Sequence, residues 1–118
     1  MKHIVFAFAL LGAPLACLAQ AAPPVSTAYE FLTVAEIESP SSGLAKILFA
    51  PAFQGRSELP LENLPMALSV KYPMIYQRNL QMVNRQLEAV TAEGWELLHV
   101  SSNTATTGHE YLFRRPKS

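Results

Sequence analysis

Three residues of this chain, His99, His109 and Glu110, have the types and spacing from which a reactive site could be built. If the segments on either side of the loop between the histidines pair as a hairpin, the two imidazoles approach each other and Glu110. That grouping is the start of a zinc site or of a small hydrolase centre. Zinc sites usually take three or four ligands at tight local spacing, whereas these histidines stand ten positions apart. The trio is carried forward as a candidate binding site, with no catalytic residue, no metal ligand and no cofactor assigned. The plainer expectation is that both histidines are solvated at strand ends.

Other chemistries find less to work with. Nucleophilic catalysis needs a nucleophile, a base and an orienting acid, and the chain has no aspartate and a single cysteine, Cys17. A Ser-His-Glu set exists on paper. The serines, however, cluster at 39–42 and 101–102, where turn formation accounts for them, and no nucleophile-elbow sequence is present. Glycoside hydrolysis needs two carboxylates at a fixed separation. Glu36, Glu38, Glu88 and Glu96 are available, and each is expected on a solvated face. Trp95, Tyr111 and Phe113 could form a ligand platform, but in a small domain aromatics are expected in the core. Arg114, Arg115 and Lys117 are expected to guard an edge strand against aggregation.

Positioning these residues requires a scaffold, and the pattern supplies one. Residues 29–37 are rich in β-branched and aromatic side chains and stop at Ser39-Pro40-Ser41-Ser42-Gly43, a strand and turn. The apolar run at 44–50 is expected to pair with it as an antiparallel hairpin. From 51 to 73 the pattern is broken by Pro51, Gly55, Pro60, Pro65 and Pro73. That is long for a structureless connection, so it reads as a Pro-rich insertion with a short element or a role of its own, with 66–72 as an edge strand. Tyr76, Leu80, Val83, Leu87 and Val90 then repeat at spacings of four and three, which predicts an amphipathic helix over 74–93. Gly94 is expected as its left-handed C′ residue, with Trp95 covering Val90. Residues 95–101 and 109–115 read as strands about a loop at 102–108. The expected order is β-β-α-β-β: an α+β fold with a four-stranded antiparallel sheet and one helix packed across it. Trp95 and Leu97 face one way and Leu98 and Val100 the other, so the register of the last hairpin stays open.

The amino terminus reads differently. After Met1-Lys2-His3, residues 4–19 carry no charge and end in small residues. This is too short for a membrane span of roughly 20 residues and has the form of a signal peptide, cut after Ala21. The expected organisation is a signal peptide at 1–21, a lead-in at 22–27 and one domain over 28–118, exported to the periplasm or secreted, with no transmembrane segment remaining. Lipidation at Cys17 would want leucine three residues earlier, where Pro14 stands. Cleavage removes Cys17 and Lys2, leaving no disulfide and eight basic residues against nine glutamates. A near-neutral domain lacks the positive field that nucleic-acid binding relies on.

At Ala92-Glu93-Gly94-Trp95-Glu96-Leu97-Leu98-His99-Val100 the chain resembles a family of small bacterial proteins labelled domain of unknown function 4177. Tyr29-Glu30-Phe31-Leu32-Thr33-Val34 and Tyr111-Leu112-Phe113-Arg114-Arg115-Pro116 resemble its first and last strands. The resemblance covers about half of the mature chain. It implies a small α+β fold and no particular activity. The signal peptide and the insertion at 51–73 depart from its pattern. The function expected is that of an exported binding or protein-interaction module, with a protein partner or self-association, and not an enzyme. The alternatives are a small metal-binding protein or hydrolase using the last hairpin, and a structural envelope component.

Overall fold

The computed structural model describes residues 27–104 and 108–118. The expected signal peptide, Cys17 and all but the last residue of the lead-in lie outside the described residues, as does the centre of the 102–108 loop. The elements are β1 (Tyr29–Ile37), β2 (Lys46–Phe53), β3 (Arg56–Pro60), α1 (Tyr72–Ala92), β4 (Glu96–Asn103) and β5 (Gly108–Pro116). The fold is α+β, one helix with an antiparallel sheet. The sheet has five strands rather than the expected four, in the spatial order β3-β2-β1-β5-β4. The chain order is therefore β-β-β-α-β-β.

The unexpected strand lies inside the 51–73 segment. Gln54 and Gly55 both take positive φ, 51° and 77°, and Phe53 pairs with Arg56 across them. Two such residues close a tight hairpin whose twist matches that of its strands. The strand that follows, Arg-Ser-Glu-Leu-Pro, has no apolar alternation because it is a solvated edge; only Leu59 packs against the core. The 66–72 edge strand is not formed. Ser69 N donates to Met66 O and Tyr72 N to Ser69 O, so the chain turns twice there and enters α1, with Pro73 at a position in the first turn that lacks an obligatory N–H partner.

One face of the sheet carries the core. Leu32 and Val34 of β1, Ile47 and Phe49 of β2 and Phe113 of β5 are buried there with Val83 and Val90 of α1. Each such side chain contributes about 1.5–3 kcal/mol when removed from water. The other face carries the alternate residues Phe31, Thr33, Ala35, Leu48 and Leu112, all partly or well exposed. At the end of α1, Gly94 has φ 90° and donates to Thr91 O, and Trp95 is buried with Val90 in the same core. This is the expected cap. Tyr111 and Phe113 also pack in the core.

Two expectations about the sheet are corrected by strand order. β5 is not an edge: it lies between β1 and β4. Arg114 and Arg115 instead form ion pairs with Glu96 and Glu30, and their guanidiniums stack over Tyr29 and Trp95. Edge protection falls to Arg56, Glu58 and Pro60 of β3. The last hairpin is settled by an irregularity between Leu97 and His99, which pairs Leu97 with Phe113 and Val100 with Tyr111. Among the described residues no helix is long and apolar enough to cross a membrane.

Candidate functional site

Alternation along β1 fixes the site. Glu36 follows Leu32 and Val34 on the core face, and Glu38 follows Glu36 just past the strand end. Both are buried, at 3% and 6% exposure. This overturns the expectation that they lie on a solvated face; Glu88 and Glu96 do lie in solvent. Buried carboxyls persist only when their oxygens find partners. Glu36 Oε1 lies 2.9 Å from His109 Nδ1, which reaches it from the neighbouring position of β5. Glu38 Oε1 accepts from Asn79 Nδ2 of α1 at 2.9 Å.

Glu36 lies close enough to act on Glu38 both through its charge and through a carboxyl–carboxyl hydrogen bond. Burial is the largest cause that pushes the Glu38 carboxyl up to about 7; the bond from Asn79 works against this, and the bond and negative charge of Glu36 add to it. Glu38 therefore keeps its own proton up to near neutral pH. Burial, followed by the charge of Glu36, also raises the phenols of Tyr76 and Tyr111, which border the pair.

Beside Glu38 a pocket of about 400 Å³ opens between the 38–40 and 64–67 loops and the first two turns of α1. Its walls are Pro40, Leu64, Pro65, Met66, Tyr72 and Tyr76, with Glu38 as the acid among Ser39, Ala67 and these. The two tyrosine rings lie 6.0 Å apart at 46°. The loops are held by Leu64 N donating to Ser39 O, and by Asn79, whose side chain bonds the N–H and C=O of Glu62 as well as Glu38. An asparagine on the buried stripe of α1 thus ties helix, strand end and loop together.

The residues singled out in the sequence are split by the sheet. His109 faces the core side with Glu36. Glu110, the next residue, pairs with Ala35 and Ser101 and points to the opposite face, as adjacent strand residues must. His99 pairs with Leu112, also on that opposite face and away from the position paired with His109. Among the described residues no group of three or more His, Cys, Asp or Glu could hold a metal ion. Glu36, Glu38 and Asn79 were missed as site residues. The available signal was a pair of glutamates two apart continuing the buried phase of Leu32 and Val34.

No protein-family model matches the chain, and no curated protein and no solved structure matches it either.

Proposed function

We propose that the chain is an exported binding domain whose ligand site is the apolar pocket at Glu38. The observation that carries this reading is a single buried carboxyl, poised near neutrality, presented to a mostly apolar cavity of about 400 Å³. Small-molecule sites have this composition: apolar walls with few polar groups that orient the ligand. Paired-carboxylate glycoside chemistry fits the geometry poorly. Carboxyls that hydrogen-bond each other stand far closer than the roughly 5–9.5 Å such enzymes keep. Glu36 is moreover not among the residues that line the pocket, so of the two acids only Glu38 borders it. Export rests on the uncharged stretch at 4–19, and the family resemblance at 92–100 adds no activity to the reading.

The test is a thermal-shift screen of the purified protein against small apolar compounds of either charge and of none. Ligand at 100 times its Kd adds about 2.7 kcal/mol, which raises the melting point of a domain this size by roughly 10 °C or more. The shift is expected to vanish in Ala67→Phe, which fills the cavity from an exposed wall position. A panel that produces no shift, or shifts that survive Ala67→Phe, overturns the assignment.

A second reading, self-association, is favoured by β4. It is the sheet edge opposite β3, its Leu97, Leu98 and Val100 are 41–48% exposed, and it carries no lysine or proline. Sedimentation of the wild type and of Leu98→Lys distinguishes the two readings: a dimer lost in the variant supports edge pairing.

A further inference from the structure

Resting on the pocket assignment above, we propose that the ligand is an organic cation, an ammonium head on an apolar body, with the head seated between the Glu38 carboxyl and the rings of Tyr72 and Tyr76. Charge decides the class. The nine residues that line the pocket include one acid and no lysine, arginine or histidine. Glu36, also buried, stands behind Glu38 and adds its negative charge there without lining the cavity itself.

The aromatic groups point the same way. Tyr72 and Tyr76 are one helical turn apart on α1, and their rings are tilted 46° at 6.0 Å between centroids. Both residues line the cavity, and tyrosine rings beside an apolar volume are the groups that hold alkylammonium ions in aromatic cages. A carboxylate ligand would instead meet the Glu36–Glu38 pair and two ring faces of its own sign. A neutral ligand would gain the apolar walls alone.

The charged groups on neighbouring elements do not reverse this. From β5, His109 is engaged by Glu36 on the far side of the pair from the pocket. Arg78 of α1 is locked to Glu62 by two bonds of 2.6 and 2.7 Å. Lys71 lies exposed just before α1 and does not line the cavity. The amino terminus of α1 disfavours a nearby cation by a factor of about two to five. A carboxylate partner and two aromatic faces outweigh that factor, since either contribution alone is worth about as much or more.

The apolar body has a path outward. Met66 lines the cavity yet is 82% exposed, and Leu68 beyond it is 98% exposed. The apolar wall therefore continues from the pocket mouth onto the surface of the 66–70 turn.

The test is calorimetric or thermal-shift titration of the purified protein at pH 8 with benzyltrimethylammonium and with neopentylbenzene, its uncharged carbon isostere. The cation is expected to bind at least about tenfold more tightly. Glu38→Gln, which preserves the bonds to Asn79 and Glu36, should remove most of that preference while leaving the neutral compound's affinity unchanged. Tyr72→Leu, at a half-buried position, should weaken the cation severalfold and serves if Glu38→Gln does not fold. Equal affinity for the two compounds overturns the cation assignment and leaves the pocket standing. Binding of neither, in a protein whose Ala67→Phe variant behaves identically, overturns the pocket and the cation together.

Discussion

Asn79 of α1 donates from Nδ2 to Oε1 of Glu38 at 2.9 Å, joining a helix to a strand end 41 residues away. The same side chain accepts from Glu62 N and donates to Glu62 O, at 3.0 and 2.9 Å. Three chain segments therefore meet at one buried amide, and the pocket exists because they do.

Removing that amide should be costly. Asn79→Ala leaves a buried carboxyl oxygen and the peptide groups of Glu62 without their partner, and a loss of about 3 kcal/mol is expected. Chemical denaturation measures it. A loss below about 1 kcal/mol would mean that water replaces the amide and that the loop is not held by it.

The carboxyl pair should make stability depend on pH in an unusual direction. Glu38 releases its proton at about 7 when folded and at 4.5 when unfolded, so between these values the folded chain carries the extra proton. Stability from this group is complete below pH 4.5 and is lost as pH rises through 7. A shift of this size caps the loss at about 3 kcal/mol, and solvent screening of a group beside an open pocket reduces it to roughly 1–2 kcal/mol. Denaturation curves at pH 5 and pH 8 should show it, and Glu38→Gln should abolish the difference. A wild type that gains stability over that interval contradicts the assignment.

Gly108 is required by a close approach. A Cβ placed there would lie 1.9 Å from the carbonyl oxygen of Glu36 and 2.7 Å from its carbonyl carbon. Because both are backbone atoms, Gly108→Ala must push β5 away from β1 beside the carboxyl pair. The expected loss is about 3 kcal/mol, seen as a fall in Tm of more than roughly 10 °C. An alanine variant as stable as the wild type would show that the two strands separate freely here.

Arg115 should report through the single tryptophan. Its guanidinium lies 4.2 Å from the centre of the Trp95 ring, pairs with Glu30 at 3.0 Å and donates to Glu93 O at 2.9 Å, beside the helix cap. Arg115→Ala is expected to cost about 1–2 kcal/mol and to shift Trp95 emission to the red. Arg115→Lys should recover less than half of the loss, because an ammonium cannot stack and fork at once. Full recovery by lysine would reduce the contact to simple charge.

The sequence by itself determined the elements whose residues carry a local period or a turn chemistry. Residues 29–37 alternate, α1 repeats at three and four, and Gly94 marks the cap that Trp95 closes. These were legible because each depends on neighbours in the chain. β3 was not, since a solvated edge strand needs no apolar period, and its one local mark was Gly55 in the turn. The helical stripe was read through Leu80, which is exposed, where the buried position is Asn79. A hydropathy pattern counts a buried amide as surface, and only its partners show otherwise.

Tertiary structure alone decided the site. His109 and Glu110 are adjacent in sequence and on opposite faces in the sheet. Glu36 and Glu38 looked like solvated charge until α1 crossed above them and Asn79 and His109 came within hydrogen-bonding distance. A carboxyl's burial and proton affinity depend on what packs over it, and those groups come from β5, α1 and the 61–67 loop, each remote in the chain from β1.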